Sequence, residues 1–283
     1  MIKFLPRLLV FFIGVPAVAA LILFLPHMNH LAVNILVIAA SSMGAAEFAV
    51  MLKKKDFPVS VPEAAVLGSL SPIAMTLTVS FNLNGQITEA LFIIGVSWLF
   101  VSEVIFRRGS FVPVIHRLAG GFSVMMYPGL FLIWIIKMSL CDNSEFVILL
   151  FMLTVMANDS IAWTMGTLFG RGNQGFFKAS PNKSIAGFIG GLLASIAVCT
   201  AAAYFFPHIF AADQIPPLPS GILLGFFCGI AVVLGDLAES LVKRSCDIKD
   251  SGFIVPGRGG ILDSTDSIAL TAPVFYVLYR FFF

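Results

Sequence analysis

Nine apolar runs, at about 8–26, 31–52, 63–82, 88–106, 118–137, 146–168, 185–206, 220–241 and 266–283, repeat along the whole chain. Each is close to the roughly 20 residues that carry an α-helix across a bilayer. Hydrocarbon offers no water to unpaired backbone groups, and the runs are too long for barrel strands, so each span must close its hydrogen bonds internally as a helix. The expected fold is all-α, a polytopic integral membrane protein of about nine transmembrane helices. No polar stretch is long enough to fold alone, so no separate soluble domain is expected. The N-terminal stretch MIKFLPRLLVFFIGVPAVAALILFLP has signal-peptide character, but its apolar run exceeds a usual signal core and reads as an uncleaved first span.

Charge supplies an independent check. Only 11% of the 283 residues are charged, against about a quarter in soluble domains. Loops on the cytoplasmic side carry an excess of Lys and Arg. With the N-terminus cytoplasmic, 15 of the 17 basic residues fall on that side, leaving Lys137 and Arg280 outside. Adding or dropping one span would scramble the alternation. The net charge of +2 reflects this topology and not a nucleic-acid surface, so no nucleic-acid partner is expected. Cys141, Cys199, Cys228 and Cys246 form no CxxC pair and read as small buried hydrophobes. His27, His30, His116 and His208 have no metal-ligand spacing. No internal repeat argues for an inverted-repeat transporter.

The outer loops are short and nearly uncharged, whereas the inner loops 170–184 and 242–265 hold most of the polar and glycine residues, so function is expected at the cytoplasmic face. Asp159, Asp236, Asp263 and Asp266 lie in or beside apolar spans. A charge at the bilayer centre costs roughly 2.5–3.5 kcal/mol on insertion scales, so such residues serve polar cavities or ion paths. Asp263 and Asp266, three apart, either share one helix face or end a loop and cap the helix. Converging carboxylates repel unless a cation lies among them. Oxygen ligands without His or Cys select Mg²⁺, which takes one or two carboxylates plus substrate phosphates. A proton or Na⁺ relay would use the same acids without needing Lys243, Arg244, Lys249 and Arg258.

Between Asp236 and Asp263 the chain reads SLVKRSCDIKDSGFIVPGRGGILDSTD. Its glycines, among them Gly259 and Gly260, let backbone amides approach phosphate oxygens, and the basic residues neutralise them. A topological loop with turn glycines is the plainer reading of the basic residues alone. The earlier loop carries Lys178, Lys183 and Ser184. Ser184 or a neighbour is expected to cap the next helix, whose N-terminus offers amides to an anion. Gly187, Gly190 and Gly191 read as helix-packing glycines. Glu47 is read as lining a cavity or pairing with a basic residue, and Glu103, four residues before Arg107, as structural.

The pattern S-L-V-K-R-x4-K-D-S-G-x3-P-G-x-G-G-x-x-D-x-x-D over 240–266 resembles the C-terminal signature of the phosphatidate cytidylyltransferases, also called CDP-diacylglycerol synthases. The segment 159–191, with D-S-x-A-W-x-x-G-x-x-F-G followed by S-P-x-K-S-x-x-G-x-x-G-G, is similar to the same family's preceding conserved region. The resemblance implies a membrane enzyme that transfers CMP from CTP to phosphatidic acid, giving CDP-diacylglycerol and pyrophosphate, with Mg²⁺ and a monovalent cation such as K⁺. It places metal-site acids at Asp236, Asp263 and Asp266, further polar-cavity residues at Asp159 and Asp250, and basic positions at Lys183, Lys243 and Arg244. Two positions depart from it. The family pattern has His where Arg258 stands and Arg where Ser264 stands, exchanging one loop cation for another.

On this reading Asp236, Asp263, Asp266, Lys243 and Arg244 are the catalytic group. Lys178, Lys183, Ser184, Asp159, Lys249, Asp250, Arg258, Gly259 and Gly260 are the substrate-binding group. Residues 1–110 form a lipid-facing wall and 111–283 the catalytic region. CTP, phosphatidic acid and membrane lipids are the expected partners, with homodimerisation suggested by the glycine-rich helix faces. The expected location is the inner (plasma) membrane, with the site facing the cytoplasm. A CTP-dependent polyprenol or phytol kinase and a cation-coupled transporter are the rival readings.

Overall fold

The computed structural model describes residues 10–210, 216–255, 257 and 259–283. Among them lie nine helices, and no β-strand beyond two isolated bridges, Gln174 with Ser184 and Val255 with Gly259. They are α1 (Val15–Phe24), preceded by a π turn at Val10–Gly14, α2 (His27–Lys53), α3 (Val61–Phe81), α4 (Gln86–Phe106), α5 (Val114–Met138), α6 (Ser144–Phe169), α7 (Ile185–Phe205), α8 (Pro217–Ser245) and α9 (Leu262–Phe282). Seven of the described helices, α2 to α8, are long and apolar enough to cross a membrane. Helix α9 has the length, 21 residues, but carries Asp263, Asp266 and Arg280. The chain is thus an all-helical, multi-pass membrane protein, and each of the nine apolar runs has become a helix.

Two helices depart from simple rods. At the start of α2, Met28, Asn29 and His30 have positive φ, so the regular helix begins after a left-handed turn. Helix α5 is broken by a π turn at Met125–Gly129 around Pro128 and a short 3₁₀ turn at Leu130–Leu132. Proline lacks the amide that would continue the ladder. The hydroxyl of the buried Ser41 on α2 sits against the carbonyls of Pro128 and Gly68.

The chain divides into two compact units. The first comprises residues 1–140 and 245–265, and the second 141–244 and 266–283. In the first, α2 and α3 pack closely enough that a Cβ on Gly68 would strike that of Ala45. An ionic cluster ties α3, α4 and α5 together. Arg117 pairs with Glu63 and, at 2.7 Å, with Glu103, which also lies 3.3 Å from Arg107. Trp98 donates its indole N–H to Glu63 at 3.0 Å. Glu103 is therefore structural, as its distance from Arg107 in sequence implies. Beside the cluster is a cleft of about 630 Å³ whose lining includes Val66, Leu70, Ile94, Trp98 and Phe106, with Glu63 and Arg117. It contains none of the candidate residues.

The second unit is built on glycine contacts. A Cβ at Gly187, Gly190 or Gly191 of α7 would come within 2.7 Å of Ala162 O, 2.5 Å of Met165 Cγ or 2.6 Å of Asn158 Oδ1, all on α6. Gly221, Gly225 and Gly229 of α8 lie equally close to α7, with Gly225 Cβ positions 2.6 Å from Ile196 Cα. Small residues four apart let membrane helices approach until backbones touch, where dispersion replaces the missing hydrophobic drive. The expected packing role of Gly187, Gly190 and Gly191 holds. Asn158, 1% exposed, adds a polar tether by donating to Ser195 Oγ at 2.8 Å and, weakly, to Gly229 O at 3.4 Å.

Candidate active site

In the second unit, Gly235 lets α8 lie directly on α9, since a Cβ there would be 2.7 Å from Asp266 O and 3.1 Å from Ser267 Cα. That contact places the adjoining acids beside one another. Asp236, Glu239 and Lys243 stand at i, i+3 and i+7 on α8 and so share one face. Lys183, from the loop before α7, pairs with Asp236 at 2.6 Å, both side chains about two-thirds buried. Lys243 pairs with Glu239 at 2.8 Å. The Glu239 and Asp266 carboxyl groups are neighbours, and Asp236 adds its charge to Asp266. Ser240 donates to Asp236 at 3.3 Å, and Asp266 accepts from the Ser267 amide at 2.6 Å. Three carboxylates and two lysines thus interleave in one polar group.

Glu239 stands out within it. The residue is 1% exposed, and its Oε1 is buried without a hydrogen-bond donor. A carboxylate oxygen left so is costly unless a cation completes it. The donor set, all carboxylate oxygen, has the hardness Mg²⁺ requires. Among the described residues no three His, Cys, Asp or Glu side chains form a ready-made metal cage. Mg²⁺ ordinarily takes one or two carboxylates and completes its shell with water and substrate phosphate. The residues present fit such an ion.

Asp263 belongs to the first unit. It lies in the first turn of α9, with Asp266 one turn on, so both are helical and Asp266 is not the cap. One carboxylate oxygen of Asp263 accepts from the Ser251 amide at 2.7 Å, the Ser251 hydroxyl at 2.9 Å and the Gly260 amide at 2.8 Å. These bonds close the glycine-rich loop on itself, helped by the reciprocal Val255–Gly259 bonds of 2.8 and 3.0 Å. Gly259, at φ +117°, occupies a conformation few side chains tolerate, and a Cβ there would be 2.5 Å from Asp263 Oδ2. Glu47, from α2, accepts from the amides of Ile261 at 3.0 Å and Leu262 at 2.9 Å and from the Ser251 hydroxyl at 3.1 Å. No basic side chain is paired with it among the described residues. Of its two sequence-based readings, the basic partner is corrected: its partners are backbone amides and a hydroxyl, which satisfy an anion without a cation.

The remaining candidates sit as follows. Lys249 and Asp250 are exposed on the loop, and Gly260 is buried beneath it. Arg258 lies outside the described residues. Lys178 is exposed, while Ser184 is 4% exposed and caps α7 by accepting from the Gly187 amide at 3.1 Å. Asp159 is half-buried on α6, beside Asn158. Arg244 is exposed near the end of α8. Sequence reasoning overlooked Glu239, although an acid three after Asp236 and four before Lys243 on a helix was the available signal. It also overlooked Asn158 as the tether between α6, α7 and α8.

Residues 6–282 match the cytidylyltransferase family. The phosphatidate cytidylyltransferase of Aquifex aeolicus is 35% identical over 159 residues, 55% of this chain and 54% of that protein. That of Rickettsia prowazekii is 34% identical over 172 residues, 59% of this chain and 71% of its own length. The uncharacterized protein YnbB of Escherichia coli is 34% identical over 138 residues, 48% of this chain and 43% of that one. The chain spans about half the length of the Aquifex relative in that alignment. With the family's model matched almost from end to end, this chain is a member of the cytidylyltransferase family.

Proposed function

We propose that the chain transfers CMP from CTP to phosphatidic acid, forming CDP-diacylglycerol and pyrophosphate at the cytoplasmic face of the inner membrane. The observation that carries this reading is the interleaved group of Asp236, Glu239 and Asp266 with Lys183 and Lys243. Asp236 and Asp266, with Glu239 beside them, are the residues that would hold Mg²⁺. When bound, the ion supplies charge neutralisation at the α-phosphoryl oxygens and the leaving pyrophosphate. Lys183 and Lys243, now paired with carboxylates, are placed to turn to phosphate oxygens, and Arg244 adds a planar donor fork. Asp263 belongs to the loop, where it holds the backbone that presents Lys249 and Gly259.

The acceptor needs little general-base help. A phosphate monoester with a second pKa near 6 is mostly dianionic at neutral pH. One of its oxygens forms the new bond to the α-phosphorus while the bond to the β-bridging oxygen breaks and pyrophosphate departs. Catalysis then rests on in-line positioning and on fixed positive charge. The relatives named phosphatidate cytidylyltransferase and the 15 of 17 basic residues on one side of the predicted topology support this choice of acceptor and face. Incubation with labelled CTP and phosphatidic acid should yield chloroform-extractable label, lost by at least 100-fold in Asp236→Asn. Wild-type turnover in that variant would remove Asp236 from the reaction. A lipid product bearing a single phosphate and no CMP would favour a CTP-dependent lipid kinase instead.

A further inference from the structure

We infer that Glu47 is a positioning residue for the proposed reaction, acting as a carboxylate clamp that sets the glycine-rich loop from a different helix. A buried acid in a membrane span is expensive and must be offset by specific partners. Glu47 is 8% exposed on α2, and its partners are Ile261, Leu262 and Ser251, more than 200 residues away in sequence. Leu262 opens α9, and the first amides of a helix have no partner within it. Most helices satisfy them with a neighbouring Ser, Asp or Asn. Here an anion from α2 does so, placed where the helix dipole favours negative charge.

The fit is backbone-tight. A Cβ on either Gly252 or Gly260 would overlap the Glu47 carboxylate, so the loop's main chain lies directly against it. The Ser251 hydroxyl stands between Glu47 Oε2 at 3.1 Å and Asp263 Oδ2 at 2.9 Å, and its single proton serves one of them at a time. Glu47 and Asp263 thus grip the loop at its two ends, leaving Lys249 and Asp250 on the exposed side. All of Glu47's partners are donors, so the position demands acceptors on both oxygens. An α2 residue is thereby assigned a part in shaping the loop that carries the family signature. Its role in turnover rests on the proposed function; its role in loop geometry does not.

Glu47→Gln separates the clamp from simple packing, because it keeps the volume but turns one acceptor into a donor facing another donor. Hydrogen exchange of the purified full chain in nanodiscs should speed up roughly 10- to 100-fold over 248–262, the worth of one hydrogen bond to a charged group. Peptides from α6 and α7 should exchange as in the wild type. Turnover of CTP should fall at least tenfold, and Glu47→Asp should restore part of both. If Glu47→Gln does not accumulate, Ser251→Ala, which keeps both amide contacts, should raise exchange over the same segment by a smaller factor. Unchanged exchange at 248–262 in the variant that is measured would overturn the clamp. Raised exchange in a chain whose wild type transfers no CMP would sustain the clamp and sink the proposed activity.

Discussion

Lys183 and Asp236 form a 2.6 Å ion pair with side chains 29% and 33% exposed, and the proposed chemistry requires both to change partner. The acid must turn to the divalent ion and the lysine to a phosphate. Coulomb attraction at that distance is about 6 kcal/mol at an effective dielectric constant near 20. Partial exposure, screening and the ordering of a long side chain reduce the net worth to about 1 kcal/mol. Lys183→Met should therefore release Asp236 and tighten apparent Mg²⁺ affinity about fivefold. The same change removes a phosphate contact, so KM for CTP should rise about tenfold. These shifts oppose each other, whereas general damage to the site would weaken both. Initial rates in mixed micelles, with free Mg²⁺ buffered and CTP varied, measure the two together. A Mg²⁺ requirement that rises in step with KM for CTP, or that stays put while KM rises, would refute the exchange of partners.

Two further outcomes are expected. Arg117→Met leaves the mostly buried Glu63 and Glu103 without their shared partner. It should cost about 3–5 kcal/mol, read as a lower thermal midpoint in detergent, and an unchanged midpoint would remove the cluster as a tie between α3, α4 and α5. Lys55 and Asp247 pair at 2.6 Å on the surface; the hydrogen bond and charge of Lys55 hold the Asp247 carboxyl below its usual range, and Asp247 raises Lys55. The acid's contribution is present above the ordinary carboxylate pKa and lost as pH falls through the lowered value, while the lysine's is lost as pH rises through its raised one. Asp247→Asn should therefore speed proteolysis near 245–250 at neutral pH yet match the wild type in acid; a difference that persists in acid would show another cause.

What the sequence disclosed divides along physical lines. Apolar runs specify helices one at a time, because each span satisfies its own backbone, and so the expected segments 63–82 and 185–206 reappear as Val61–Phe81 and Ile185–Phe205. Packing glycines were equally plain, since Gly187, Gly190 and Gly191 recur at helical spacing. Partners were less legible. Nothing local to Glu47 points to an amide at Leu262, because that bond is made by tertiary structure alone. Glu239 could have been placed from its spacing to Asp236 and Lys243, but an acid at i+3 also fits an ordinary polar helix face. Its 1% exposure is what marks it. The acids grouped in the sequence thus have different neighbours: Asp236 and Asp266 lie beside Glu239, Asp263 accepts from the loop amides of Ser251 and Gly260, and Asp159 stands on α6.

That division explains how the chain carries Ser264 where the family pattern has arginine. Ser264 donates its hydroxyl to Gly260 O at 3.0 Å within the first turn of α9, a local bond that small hydroxyl side chains make readily in helices. The loop's backbone is held by acceptors, the carboxylates of Glu47 and Asp263, and by the Val255–Gly259 bridge. None of these supports involves the side chain at 264. Exchanging a cation for a hydroxyl there changes the charge near the loop without removing anything that fixes its path. Shape and charge are set by different residues, and the second can vary while the first is kept.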